Sequence, residues 1–292
     1  MLITVFTPTY NRSQLLPRLY ESLKCQTYKD FEWLIVDDGS TDKTEEVLSL
    51  LLQEGLGEAK IRYFRQPNGG KHLAINHGVK EAQGELFFIV DSDDKLPPRA
   101  LERVAHYYSQ VAGDDRFAGV SGLRYYFDGR QVGGEQSFDV TDCSMLDIRQ
   151  KYKIRGDMAE VFRTKVMQEF PFPEIEGERF CTEALVWGRI SQKYVMRYFH
   201  ENIYECEYQP DGLTAKIVRV RMHSPVASVT HYQELNGYNV PFKTKLRSAI
   251  NYWRFRLCSM HSEQMPKLPW YWNWCMPLGL VMHLNDKKRY NQ

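Results

Sequence analysis

Three short polar runs near the start of the chain have the composition of a ligand cleft. Asp91-Ser92-Asp93-Asp94 places three carboxylates within four positions. Such groups repel one another in water, and a divalent cation removes that cost. An oxygen-only donor set suits Mg2+ or Mn2+. The alternative use of Asp93 or Asp94 is to cap a helix that begins near Pro97-Pro98. Asp37-Asp38-Gly39-Ser40-Thr41-Asp42 combines two adjacent acids with a glycine for a sharp turn and a hydroxyl to cap the next helix. A carboxylate there accepts hydrogen bonds from a base or a ribose. Asn68-Gly69-Gly70-Lys71-His72 leads into a helix whose N-terminus favours an anion, and Lys71 adds a charge for phosphate.

These runs need elements to position them, and the hydrophobic pattern supplies those. Apolar runs at 2–6, 31–36, 61–64 and 85–90 read as strands. Leu15, Leu16, Leu19 and Leu23 recur at helical spacing, and 44–52 and 71–82 read as further helices. Strand, helix, strand, helix with short loops implies crossovers and a mostly parallel sheet flanked by helices. In such sheets ligands bind beyond the carboxyl ends of the strands. Thr7-Pro8-Thr9-Tyr10-Asn11-Arg12, the Asp37–Asp42 run and the Asp91–Asp94 run each follow such an end, so the three are expected to meet. From 120 to about 215 the pattern is less regular, with strand character at 157–163 and 194–208 and a helix at 181–192. The last 75 residues are aromatic, basic and helical in pattern.

Composition narrows the function classes. Lys+Arg 38 against Asp+Glu 37 gives a formal net charge of +1, so no global field attracts nucleic acid. The six cysteines form no C-x-x-C pair, which argues against a zinc site or a disulfide framework and suits a reducing cytosol. The N-terminal stretch lacks a basic region, and its apolar run is too short for a signal peptide. No apolar run reaches the roughly 18–20 residues that span a bilayer. G-x-G-x-x-G, the P-loop pattern, H-E-x-x-H and G-x-S-x-G are all absent.

Together, V-F-T-P-T-Y-N-R, Q-T-Y-K-D-F-E-W-L-I-V-D-D-G-S-T-D, N-G-G-K-H-L-A-I-N-H-G and G-E-L-F-F-I-V-D-S-D-D resemble family 2 glycosyltransferases, in order and in spacing. The likeness is strong over 1–120 and extends to about 215. It implies a GT-A fold, with a Rossmann-like, mostly parallel central sheet and a C-terminal helical extension. It also implies inverting transfer from a nucleoside-diphosphate sugar, commonly a UDP-sugar, with Mn2+ or Mg2+. Residues 1–215 would be the catalytic domain, with 1–120 as the nucleotide-sugar half and 121–215 as the acceptor half. Residues 216–292 would be the extension. The resemblance assigns the nucleotide sugar to Thr7, Pro8, Tyr10, Arg12, Asp38, Lys71, Asp91 and Ser92. Tyr10 would stack on the base, Asp38 would bond the uracil edge and Lys71 would lie near the diphosphate. Asp91 and Asp93 fit the D-x-D element, with Asp93 as the direct metal ligand. Y-Q-P-D-G-L-T at 208–214 resembles a stretch of bacterial polysaccharide-type members.

The family's catalytic base belongs to a Glu-Asp pair, whose counterpart here is Thr182-Glu183. Glu183 opens an apolar segment and is expected to point into the cleft, whereas Glu174, Glu176 and Glu178 lie in a Pro/Gly-containing loop and are expected to be solvated. The acceptor would be a saccharide or a lipid-linked hydroxyl. Tyr252, Trp253, Phe255, Trp270, Tyr271, Trp272 and Trp274 share the extension with Lys243, Lys245, Arg247, Arg254 and Arg256. That mixture suits a membrane interface, a helix packed on the protein or a homodimer contact. A cytoplasmic protein, peripheral at the inner face of the membrane, is the corresponding location. Two other functions fit the motifs less fully. One is a sugar-nucleotide nucleotidyltransferase, whose Gly-rich basic N-terminal loop is missing here. The other is an inactive sugar-nucleotide-binding or glycan-assembly protein that keeps the fold.

Overall fold

In the computed structural model, which describes residues 2–207, 216–259 and 265–290, the chain divides into two compact units. The first is Met1–Pro171 with Ile190–Glu207, and the second is Phe172–Arg189 with Tyr208–Gln292. The first unit opens with β1 (Ile3–Thr9), α1 (Leu16–Lys24), β2 (Phe31–Asp37), α2 (Thr44–Glu54), β3 (Lys60–Arg65), α3 (Lys71–Glu81) and β4 (Leu86–Ile89). These are the seven elements that the hydrophobic pattern predicts. It continues with α4 (Ala100–Ser109), β5 (Phe117–Tyr126), β6 (Thr141–Cys143), α5 (Met145–Gln150), β7 (Met158–Arg163) and α6 (Thr164–Glu169). After α7 (Glu183–Ser191) the chain enters β8 (Val195–Cys206).

The eight strands form one sheet in the order β3-β2-β1-β4-β7-β5-β8-β6. β1 pairs in parallel with β2 and β4, and β2 with β3. β7 is antiparallel to both β4 and β5, so β5 and its parallel partner β8 run in the direction of β4. β6 closes the edge against β8, antiparallel. Six strands therefore point their carboxyl ends to the same side. Every residue of β1 and β2 is buried, as expected of strands covered on both faces. Leu16, Leu19, Tyr20 and Leu23 turn one side of α1 onto Trp33 and Leu48 in the core. The Trp33 indole N–H donates to Thr7 Oγ1 at 2.9 Å, which satisfies two polar groups inside the sheet.

The second unit is helical: α8 (Ile217–His223), α9 (Pro225–Gly237), α10 (Phe242–Arg256), a 3-10 turn at Trp270–Cys275 and α11 (Met276–Tyr290). Val229, Ala249, Tyr252, Phe255, Trp272 and Cys275 make its core. The aromatic set of the extension is thus split. Tyr252, Phe255 and Trp272 are buried, whereas Trp270, Tyr271 and Trp274 are exposed. Glu178 is not solvated as expected. It is buried, and its carboxylate accepts the backbone N–H groups of Val226 at 2.6 Å and Ala227 at 2.8 Å in the first turn of α9. Orphan helix N–H groups favour an anion there. All six cysteines are free thiols. The run 208–214 lies outside the described residues.

Candidate active site

The loops after β1 and β2 are tied into one surface. Asn11 takes a left-handed backbone, φ 53°, which asparagine tolerates. Its Oδ1 accepts the Thr41 N–H at 2.8 Å and the Asp42 N–H at 3.3 Å. The Arg12 N–H donates to Thr44 Oγ1 at 3.1 Å, and the Ser13 hydroxyl to Asp42 Oδ2 at 2.9 Å. Asp37 turns inward, where its Oδ1 accepts from the Ser40 N–H and hydroxyl at 2.8 and 2.6 Å. Gly39, at φ 80°, is required twice over. Its backbone is left-handed, and a Cβ there would stand 2.9 Å from the Asn68 nitrogen. Close approach of the third loop thus depends on the missing side chain.

Asp38 is the anion at the start of α3. Its Oδ1 accepts from Gln66 Nε2 at 2.8 Å and the Gly69 N–H at 2.9 Å, and its Oδ2 accepts the Gly70 N–H at 2.7 Å. The anion expected at the start of α3 is here a protein carboxylate, which holds the Gly69 and Gly70 amides. Lys71, the first residue of α3, brings its ammonium to the acidic turn, 2.7 Å from Asp91 Oδ1. A carboxylate has about four acceptor positions, so Asp38 Oδ2 retains one beyond the three in use.

The acidic turn after β4 is fastened from several sides. Lys71 Nζ lies 2.7 Å from Asp91 Oδ1. The Asp91 N–H donates to the Tyr204 hydroxyl at 3.0 Å, and that hydroxyl donates to Asp94 Oδ2 at 2.6 Å. Arg18 donates to the Asp93 carbonyl. Lys95 and Glu205 exchange backbone hydrogen bonds at 3.0 and 2.9 Å, linking the turn to the end of β8. Burial works to raise the Asp91 carboxyl, but the Lys71 ammonium, with Arg124 and Arg12, holds it below the usual carboxylate range. Asp93 is raised by burial and by the Asp91 charge. Asp94 is pushed up to about 7 by burial and the same charge, against the Tyr204 hydroxyl.

The described residues contain no ready-made group of three or more His, Cys, Asp and Glu side chains poised for a metal. The donor chemistry nevertheless fits a hard cation. Asp93 carries no ion pair among the described residues, and its carboxyl is raised by burial and then by the Asp91 charge, both of which a cation would offset. Asp91 and Asp93 would hold the ion, with phosphate oxygens filling its remaining positions.

The remaining sequence candidates fall in different places. Thr7 and Pro8 are buried in β1, so they shape the strand end rather than present side chains. Tyr10 is exposed just beyond it. Ser92 is buried within the acidic turn. Arg12 lies close enough to Asp91 and Asp93 to lower both carboxyls. Glu183 begins α7, in the second unit, and is half-buried. Arg124, Tyr204 and Glu160 are site neighbours that the sequence reading missed. The Arg124 guanidinium stacks 4.2 Å from the Tyr204 ring centre and donates to the Met158 carbonyl at 2.8 Å. They come from the strands after 117, where no motif marks them.

Glu160 sits on β7 between β5 and β4, and burial pushes it up to about 7 despite Arg124 and Arg149. A carboxyl raised on folding binds more protons folded than unfolded. Its contribution to stability is therefore present below the ordinary glutamate value and lost as pH rises through about 7. Glu160→Gln should remove that loss and gain on the order of 1–3 kcal/mol at about pH 8 relative to about pH 4.5. Urea denaturation at both pH values measures it. An equal change at both would show that burial does not control this group.

The sequence model of "Glycosyl transferase family 2" matches residues 4–160. The chain belongs to glycosyl transferase family 2. Among relatives of this glycosyltransferase, the "Glycosyltransferase GlyG" of Streptococcus pneumoniae is 36% identical over 219 residues, covering 70% of this chain and 69% of that one. A Campylobacter jejuni protein named "GalNAc(5)-diNAcBac-PP-undecaprenol beta-1,3-glucosyltransferase" is 28% identical over 195 residues. That match covers 63% of this chain and 58% of the relative, so the chain spans little more than half of its length. The fold matches S. aureus TarS in complex with UDP-GlcNAc at TM-score 0.62 and 17% identity, covering 100% of this chain and 93% of that one. It also matches the mannosyltransferase PcManGT from Pyrobaculum calidifontis in complex with GDP-Man and Mn2+, at TM-score 0.56 and 17% identity, over 99% and 75% of the two chains. The GT-A architecture expected from the motifs is the architecture observed.

Proposed function

We propose that this glycosyltransferase moves a sugar from a UDP-sugar to a hydroxyl of a saccharide or lipid-linked acceptor in bacterial polysaccharide or glycan synthesis, with inversion. The observation that carries the reading is the meeting of three strand-end loops in one place. There Asp38, Lys71 and the Asp91–Asp94 turn are joined through a 2.7 Å ion pair and the fixed start of α3. The UDP-GlcNAc complex of TarS and the undecaprenol-linked substrate in the Campylobacter relative's name support donor and acceptor class in turn. The reading takes 1–215 as the catalytic region and 216–292 as an extension, in a cytoplasmic enzyme working at the inner face of the membrane.

In this mechanism Tyr10 covers the base and Asp38 accepts its N3–H on the remaining Oδ2 position. Lys71 leaves Asp91 to follow the diphosphate, and Arg12 adds positive charge beside it. Asp91 and Asp93 would hold Mn2+ or Mg2+, which stabilises charge on a departing nucleotide when bound. Glu183 takes the proton of the acceptor hydroxyl, and direct attack at the anomeric carbon inverts it.

Uracil offers a donor at N3, whereas cytosine has no proton there. UDP should therefore compete with donor roughly tenfold better than CDP. The test is a thermal-shift panel of nucleotide sugars with Mn2+, followed by inhibition with both diphosphates. Stabilisation by UDP-sugars is the expected result. No shift with any of them would remove the donor reading, and equal inhibition by UDP and CDP would remove Asp38 as its reader.

A further inference from the structure

A surface helix ordinarily gives one apolar face to the core and a polar face to water. α11 departs from that division. Its inward face is committed to α10. A Cβ on Gly279 would stand 2.5 Å from Trp253 Cβ and 2.9 Å from the Ile250 carbonyl oxygen, so only glycine allows this approach. Asp286 accepts from Arg254 Nε and Nη2 at 2.5 and 2.8 Å, and His283 Nδ1 meets the Arg254 carbonyl at 3.2 Å. Yet the outward arc is apolar as well. Val281 is 57% exposed and Leu284 55%, with Leu278 and Leu280 beside them. The preceding 3-10 turn adds Trp270, 81% exposed, and Trp274, 57%. Residues 268–285 contain no charged side chain, and charge returns in exposed Lys287, Lys288 and Arg289.

Single exposed apolar residues are ordinary, but a continuous strip of Trp, Tyr, Leu and Val ending in cations is an interaction surface. Charge identifies its partner. Residues 208–292 hold twelve Lys and Arg against four Asp and Glu, a net +8, whereas residues 1–207 hold 26 against 33, a net −7. The balanced total hides this polarity. A second copy meeting the same face would set like charge against like. An anionic surface matches it, and Trp and Tyr favour the boundary between headgroups and acyl chains. No helix among the described residues is long and apolar enough to cross a membrane, so the contact lies in the plane of the interface.

We infer that this face docks on an anionic lipid bilayer. Trp270, Trp274, Leu278, Val281 and Leu284 enter the headgroup boundary, and Lys287, Lys288 and Arg289 pair with lipid phosphates. The inference does not depend on the transfer reaction, since vesicle binding needs neither donor nor acceptor. The experiment is co-sedimentation of the full chain with phosphatidylcholine vesicles, with and without phosphatidylglycerol, at low and high salt. Binding that requires the anionic lipid and weakens with salt is expected. Val281→Asp with Leu284→Asp should lower it at least roughly tenfold. Lys287→Glu with Lys288→Glu should lower it by about fivefold or more per lysine, on anionic vesicles only. All four side chains face solvent, so melting temperatures should stay within about 2 °C of the parent. A parent that remains in the supernatant with anionic vesicles at low salt overturns the inference. So does unchanged binding by the double Asp variant. Sedimentation equilibrium showing a dimer that the Asp variant splits, without vesicle binding, would instead assign the face to a second copy and overturn it too.

Discussion

Asp93→Ala is expected to lose Mn2+-dependent UDP binding and, with it, transfer. The reason lies in how the three acids of the turn are already employed. Asp91 is paired with Lys71 at 2.7 Å, and Asp94 accepts the Tyr204 hydroxyl at 2.6 Å. Asp93 has no such pair among the described residues, and burial beside Asp91 raises its carboxyl. Its charge is therefore the one of the three that a bound cation would stabilise most. Removing it should weaken nucleotide binding in the presence of Mn2+ by roughly 10²-fold or more, a scale typical of lost charge stabilisation at a closed site. It should leave metal-free UDP binding nearly unchanged. Asp94→Ala should do less to nucleotide binding, because that carboxyl braces β8 through Tyr204. Calorimetry with and without Mn2+ separates these cases. The assignment is wrong if Asp93→Ala binds UDP–Mn2+ as tightly as the parent. Melting should tell the two variants apart as well. Loss of Asp93 relieves repulsion, whereas loss of Asp94 leaves a buried tyrosine hydroxyl with one partner fewer, at a cost of about 1–3 kcal/mol.

The parallel half of the fold was legible because local signals agreed there. β1, β2 and β4 are buried and mostly apolar along their length, β3 is half-buried with Arg62 among its apolar positions, and each is followed by a polar turn. Gly39 supplies a left-handed turn, and Asn11 another. Convergence of the loops followed from chain direction alone. β5 was hidden because Gly119 and Gly122 interrupt its pattern and its last residues are half-buried. Its neighbour β7 runs antiparallel, an arrangement that no single segment announces. At the site, residue types were readable but commitments were not. Asp38 and Lys71 stand where the motifs put them, yet their partners are the Gly69 and Gly70 amides and Asp91, which no spacing rule predicts. Arg124 and Tyr204 reach the acidic turn through pairing of distant strands, so their chemistry shows only after folding.

Glu183→Gln is expected to slow transfer by roughly 10²-fold or more while donor affinity stays within about threefold of the parent. The substitution keeps the shape of the side chain and removes its ability to take a proton. Glu183 is the first residue of α7, and Leu185 and Val186 that follow it are buried, so the helix has an anchored apolar side and a fixed start. A carboxylate in a first turn also interacts favourably with the helix dipole, which gives it a structural use independent of catalysis. That use is small. Neutralising it costs about 0.3–1 kcal/mol of stability, too little to explain a hundredfold rate loss at unchanged donor affinity. The two roles therefore separate in one variant measured two ways. The competing acids have become fewer. Glu178 spends both oxygens on the first turn of α9, so its substitution should cost stability and leave the chemistry to Glu183. Glu176 remains in the loop before α7, and Asp157 is exposed just ahead of β7. Single-turnover transfer with UDP-sugar at saturating acceptor is the decisive measurement. A near-normal rate for Glu183→Gln would transfer the role to one of those two, and a loss of donor affinity as large as the loss of rate would make Glu183 a binding residue instead.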